Sequence, residues 1–225
     1  KCKDMCGKIQ WKMNVHTKEM RVILAEMMRK HPGLALAEEL YPGDRIPMLF
    51  VSGGKTTADA AYWGFSKHLG RRIYNARGET AKQKPMFARC LEQGRCVIPV
   101  TGYYEWDMEK NGYLFTAKEE PLLYLAGLYR YDADAKEVTI LTTHARGAVG
   151  EIHHRMPVAL RWQEVRPWLY EQNRALEILD GMPPDVCGRK LEGEEDRISP
   201  ICITVDFWLK RMILRCCLII IRKMG

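Results

Sequence analysis

Met5-Cys6-Gly7-Lys8 holds the first residue with unusual chemistry. A cysteine that follows methionine and precedes glycine becomes N-terminal once that methionine is removed. It then carries an α-amine of pKa about 7.7–8.0 and a thiol of about 8.5 on adjacent atoms. Both are partly deprotonated near neutral pH. Together they condense with an aldehyde, first as a Schiff base and then as a five-membered thiazolidine. Alone, the tetrapeptide does not separate this chemistry from an incidental cysteine near a chain end.

Three further segments carry reactive groups. Ile73-Tyr74-Asn75-Ala76-Arg77-Gly78-Glu79-Thr80 leaves a β run and enters a helix. Asn75 offers two donors and a carbonyl, Arg77 a planar fork for phosphate, and Glu79 or Thr80 can serve the helix start. A capped turn with solvated side chains is the plainer reading. Arg95 to Trp106 is a strong β segment that ends with Glu105 between Tyr104 and Trp106. Alternation puts the Glu105 side chain on the opposite face from its aromatic neighbours, where a carboxylate can have a raised pKa and move protons. An edge-strand glutamate in water is the alternative. Glu151 to Val158 supplies paired histidines, His153 and His154, suited to acid–base work near pH 7 or simply surface groups before a strand. No third and fourth ligand stands at helical or turn spacing nearby, which disfavours a metal.

These segments need a scaffold. Thr17 to Lys30 reads as an amphipathic helix capped by Thr17, with a stripe of Met20, Leu24, Met27 and Met28 and a stop at His31-Pro32-Gly33. Strand patterns cover Ile46 to Val51, Ala60 to Gly64, Cys96 to Tyr104, Tyr113 to Ala117, Leu122 to Leu128, Val138 to Thr143 and Met156 to Leu160. Asn111-Gly112 signals a hairpin. Helices are predicted over Ala81 to Leu91 and, as one or two, over Gln163 to Leu179. Strands joined mostly by hairpins argue for an α+β fold, one domain with a mainly antiparallel, barrel-like β core flanked by helices.

Composition sets the class. The 225 residues suffice for one sizeable core, and 47% hydrophobic with 28% charged residues is ordinary for a globular protein. The net charge of +7 fits a nucleic-acid partner without requiring one. Eight cysteines without a zinc-type array or secretory signal read as reduced, mostly buried thiols in a cytoplasmic protein. The apolar run Ile213 to Ile221 is broken by Arg215 and falls short of the ~20 residues of a spanning helix, so no membrane role is expected. The tail from about Asp196 differs in texture, alternating basic and apolar residues. We divide the chain into a domain over 5–195 and a tail over 196–225 that is an amphipathic helix or a stretch without an evolved role.

The four motifs, in this order, resemble the SRAP (SOS response-associated peptidase) family. That family is similar in its Met-Cys-Gly start, Asn-Ala-Arg-x-Glu-Thr segment, Gly-aromatic-aromatic-Glu-Trp strand and Ile-His-x-Arg-Met-Pro segment. The likeness runs from Met5 to about Leu179 and includes Tyr62-Trp63-Gly64-Phe65 and Lys84-Pro85-Met86-Phe87. It implies a monomer that senses abasic sites in single-stranded DNA and crosslinks to them through Cys6, with no metal or organic cofactor. By the same resemblance Asn75 holds the thiazolidine and opened sugar, and Glu105 orients the α-amine. His153, rather than His154, assists ring opening. Arg77, Lys8 and Lys84 bind flanking phosphates, although the family commonly has arginine where Lys8 stands. Trp63, Phe65, Tyr104 and Trp106 are candidates to replace lost base stacking, with core packing the competing role. Four residues precede Met5, so the Cys6 amine is exposed only by a start at Met5 or by self-cleavage of a short leader, as the family's peptidase name suggests. A cysteine peptidase or amidase using Cys6 with His153, and a non-catalytic nucleic-acid-binding module, are the alternatives.

Overall fold

The structure, a computed structural model, describes residues 7–12, 17–66, 72–133 and 135–191. In chain order the elements are β1 (Ile9–Gln10), α1 (Lys18–Lys30), β2 (Glu39–Leu40), β3 (Arg45–Ser52), β4 (Lys55–Trp63), β5 (Phe65–Ser66), β6 (Arg72–Ile73) and β7 (Asn75–Arg77). Next come α2 (Gly78–Ala81), α3 (Pro85–Gln93), β8 (Arg95–Val100), β9 (Gly102–Trp106), β10 (Gly112–Ala117), β11 (Leu123–Asp132) and β12 (Ala135–His144). The order ends with α4 (Gly147–Gly150), β13 (Arg155–Pro157), β14 (Ala159–Leu160), α5 (Trp162–Tyr170), α6 (Gln172–Asp180) and β15 (Val186–Lys190).

Strands β12, β4, β3, β8 and β11 pair in that order, and β11 pairs back with β12, which closes a five-stranded barrel. Closure leaves no barrel edge to be covered. Every barrel pairing is antiparallel except β12 with β4. At the seam Gly127 sits opposite both Cys96 and Ile140, and an added Cβ there would lie 2.3 Å from Ile98 Cδ1, so a larger residue would have to displace the buried Ile98 side chain. A second sheet, in the order β15-β10-β9-β1-β2, stands beside the barrel. The expected single α+β domain with a mainly antiparallel, barrel-like core is what the chain forms, over one continuous apolar core that includes Trp63, Phe65, Ile98 and Trp168.

Local detail departs from expectation in four places. The run Cys96 to Tyr104 is two strands: β8 belongs to the barrel, β9 to the second sheet, and Thr101 lies between them. The helix over Ala81 to Leu91 is broken into α2 and α3, because Pro85 begins a new helix and has no N–H to continue the old one. The β9–β10 hairpin turns through 107–111 with its positive φ at Lys110, not on an Asn-Gly dipeptide; Gly112 is already paired with Trp106. Strand β4 starts at Lys55, across a two-glycine turn whose φ values at Gly53 and Gly54 are both positive.

Helix α1 follows its pattern. Thr17 Oγ1 accepts from Met20 N at 3.1 Å, and Met20, Ile23 and Met27 are buried, while Leu24 is only partly covered. Cys90 and Cys96 are buried thiols, and Cys187 is exposed, against the expectation of burial. No helix among the described residues is long and apolar enough to cross a membrane. The C-terminal tail lies outside the described residues.

Candidate functional site

Strand β7 carries Asn75 and Arg77 and runs parallel to the barrel strand β12, with Asn75 beside Ile140 and Arg77 beside Thr142. Ala76 between them is 3% exposed, so alternation turns Asn75 and Arg77 to the face opposite the core. Trp63 Nε1 donates to Tyr74 O at 2.9 Å and holds the entry to this strand. Beside it opens a cleft of about 390 Å³, lined by Asn75, Arg77 and Lys84 together with Ile73, Met86 and Phe87. Arg77 and Lys84 are exposed, and among the described residues neither makes an ion pair. An apolar floor with two available cations at its rim suits a ligand that is part flat and apolar, part anionic.

The histidine segment flanks the same barrel strand. Antiparallel β13 pairs Arg155 with His144 and Pro157 with Thr142. His153 precedes it, half-buried, its backbone N–H donating to Val149 O at 2.8 Å. The rings of His153 and His154 lie 4.4 Å apart at 37°. His153 Nδ1 is 3.2 Å from both the N and the O of Arg155. Nδ1 thus faces a backbone donor and a backbone acceptor at the same distance, so Arg155 can hold the ring with Nδ1 either accepting or donating. His154 is exposed. Burial, then the charges of His153, Arg155, Arg77 and His144, push its imidazole below the ordinary histidine range. That influence places Arg77 and the histidine pair in one electrostatic neighbourhood.

Sequence reasoning missed how these two segments are joined. Arg155, 3% exposed, grips both carboxylate oxygens of Glu79, Nη1 to Oε1 at 2.6 Å and Nη2 to Oε2 at 2.8 Å. Nη2 also donates to Thr142 O at 2.8 Å. Burial would raise the Glu79 carboxyl, but the Arg155 guanidinium, the residue's own N–H and the neighbouring His144 overcome it and hold it at about 2. The partners are 76 residues apart, and no pattern in the chain pairs them; only their shared presence in two motifs hinted at it.

Glu105 comes from the second sheet. It is 3% exposed, on β9 opposite Tyr113, and so is not the solvated edge glutamate of the plainer reading. Its neighbours separate the aromatic candidates. Trp63, Phe65 and Tyr104 are buried, and only Trp106, 40% exposed and stacked 6.3 Å from Tyr104, offers a free ring face. Lys8 runs alongside: Tyr104 N donates to Lys8 O at 3.0 Å, and Lys8 Nζ lies 2.6 Å from Glu39 Oε1. Carried back from Ile9 opposite Tyr103, the β1–β9 register brings Gly7 level with Glu105. Cys6 lies outside the described residues. Among the described residues no three of His, Cys, Asp and Glu converge to hold a metal ion.

Comparison with known proteins agrees with the motifs. The sequence matches the family model described as SOS response associated peptidase (SRAP) over residues 5–191. It is 32% identical over 129 residues to the abasic site processing protein YoaM of Bacillus subtilis, a match covering 53% of this chain and 57% of that one. It is 31% identical over 167 residues to the abasic site processing protein YoqW of the same organism, covering 68% of this chain and 73% of that one. Among solved structures, a Bacteroides thetaiotaomicron protein superposes with a TM-score of 0.69 at 22% identity, covering 86% of this chain and 95% of that one. A phage-related protein from Bordetella bronchiseptica gives 0.65 at 24% identity, covering 84% and 95%.

Proposed function

Because the chain belongs to the SOS response associated peptidase (SRAP) family, we propose that it captures abasic sites in single-stranded DNA covalently through Cys6. Both B. subtilis relatives are named as abasic site processing proteins. The observation that carries the reading is the meeting, on either side of β12, of the Asn75–Arg77 strand and the His153 segment, beside a cleft rimmed by Arg77 and Lys84.

An abasic deoxyribose equilibrates between a closed hemiacetal and a small fraction of open aldehyde. His153 assists ring opening by proton transfer. The Cys6 amine adds to the aldehyde carbon, water leaves, and the C=N bond of a Schiff base forms. The Cys6 sulfur then adds to that carbon, its proton passes to nitrogen, and the thiazolidine ring closes with one water lost in total. Glu105, buried beside the incoming chain, orients the amine and takes its proton. Asn75 hydrogen-bonds the opened sugar, and Arg77 and Lys84 hold flanking phosphates. The amine must be free, so peptide hydrolysis before Cys6, or initiation at Met5 followed by removal of that methionine, precedes capture.

The test is incubation with matched single-stranded oligonucleotides, one abasic and one intact, read on denaturing gels and by intact mass. A species equal to the Cys6-initiated protein plus abasic DNA minus one water supports the reading. A wild-type protein that forms no such species overturns it.

A further inference from the structure

We infer that Glu79 and Arg155 are positioning residues that fix the orientation of His153 relative to Asn75 and Arg77, an assignment that rests on the reaction proposed above. Arg155 is almost fully buried, and its two terminal nitrogens are held from two elements at once: by both oxygens of Glu79 on α2, and by Thr142 O and Oγ1 on β12 at 2.8 and 3.2 Å. Nε of Arg155 is buried without a hydrogen-bond partner among the described residues, so the two terminal nitrogens carry the anchoring, and a bidentate fork fixes angles as well as distances, which a lysine at the same place could not do.

Each end of this brace is attached to a proposed reacting group. Glu79 stands two residues after Arg77 and four after Asn75. Arg155 stands two residues after His153, and its backbone N–H is the group 3.2 Å from His153 Nδ1. The side chain therefore anchors the residue whose backbone N–H and C=O both face the imidazole. Imidazolium, protonated at Nδ1, finds Arg155 O at the same 3.2 Å, so one anchored residue supports the ring before and after it takes a proton. Glu79 also cancels the Arg155 charge. The charged and titratable groups gathered here are His144, 3.7 Å from Glu79, with His153, His154, Arg77, Glu79 and Arg155. An uncompensated Arg155 would make His154, already held below the ordinary histidine range, harder still to protonate.

The decisive variant is Arg155→Lys, which keeps the charge and loses the fork; Glu79→Gln, which keeps the shape and loses the charge, serves if Arg155→Lys fails to fold. Nitrogen-15 NMR of the imidazoles reports the His153 tautomer, and single-turnover adduct formation at saturating abasic DNA reports the rate. We expect wild-type His153 to hold a single neutral tautomer and either variant to show a tautomer mixture. We expect the rate to fall about 10- to 100-fold, as for a displaced reacting group, with single-strand affinity nearly unchanged. Folded variants that keep the wild-type tautomer and the wild-type rate overturn the assignment. A wild type that forms no adduct but whose variants lose the tautomer overturns the crosslinking reading alone and leaves the positioning role supported.

Discussion

Lys8 Nζ lies 2.6 Å from Glu39 Oε1 and sits 4.2 Å above the ring of Tyr104. Its charge is thus engaged by a carboxylate and an aromatic face, while Arg77 and Lys84 remain available at the cleft. Affinity for undamaged single-stranded DNA, measured by fluorescence anisotropy against salt, should show the difference. Arg77→Ala and Lys84→Ala should each reduce the log–log salt slope by about 0.7, the value for one phosphate contact on single strands. Lys8→Met should leave the slope unchanged. Equal slope losses for Lys8 and Arg77 would mean that DNA competes Glu39 away.

Proton handling and bond formation should separate in time. Cys6→Ala should give no stable adduct at any time, because its α-amine yields only a reversible Schiff base and the C–S bond that closes the thiazolidine cannot form. His153→Ala and Glu105→Gln should form adduct more slowly, by about 10²–10⁴-fold for a lost acid–base group. His154→Ala should change the time course little, since that side chain is exposed. A normal His153→Ala beside a slow His154→Ala would exchange the two roles.

Much of this was legible in the chain, and the failures have physical reasons. The α1 cap and stripe were readable because an N-cap and a 3.6-residue period are local signals. The break at Thr101 was invisible because β8 is buried along its whole length and the first four residues of β9 are too, so hydrophobic continuity conceals a change of sheet. Asn75, Arg77, Glu105 and His153 were nameable from their motifs, and burial of Glu105 agrees with a special environment. The Glu79–Arg155 pair and the Lys8–Glu39 pair were not, because ion pairs between distant segments leave no trace in spacing.

Acid should weaken the fold partly through Glu79. Its carboxyl is held at about 2 in the folded chain against 4.5 unperturbed, so its stabilising contribution is complete above 4.5 and is lost as pH falls towards 2. The side chain is 35% exposed, and solvent screening leaves on the order of 1–2 kcal/mol at neutral pH. The Tm of wild type should exceed that of Glu79→Gln at pH 7, and the gap should close between pH 4.5 and 2. A gap independent of pH would show that hydrogen-bond geometry, not charge, supplies the difference.

Arg95 is basic but belongs to the fold. It is 9% exposed and donates to Trp168 O at 2.6 Å and Leu91 O at 2.7 Å, satisfying carbonyls at the ends of α5 and α3. Arg95→Met should cost about 2–3 kcal/mol in urea unfolding, as expected for hydrogen bonds from a charged group. The salt dependence of DNA binding by the folded fraction should not change. A reduced salt slope would move Arg95 into the DNA contact set.

Strand β12 closes the barrel against β11 and at the same time flanks β7 and β13. Ile140 and Leu141, at the middle of that junction, are fully buried. Amides held there exchange with solvent only when the seam itself opens, at a free energy that should approach that of global unfolding. The two halves of the site therefore belong to the most cooperative unit of the molecule. A destabilising substitution elsewhere in the core would lower the number of competent molecules in a population, while each molecule still folded would keep its site at full alignment.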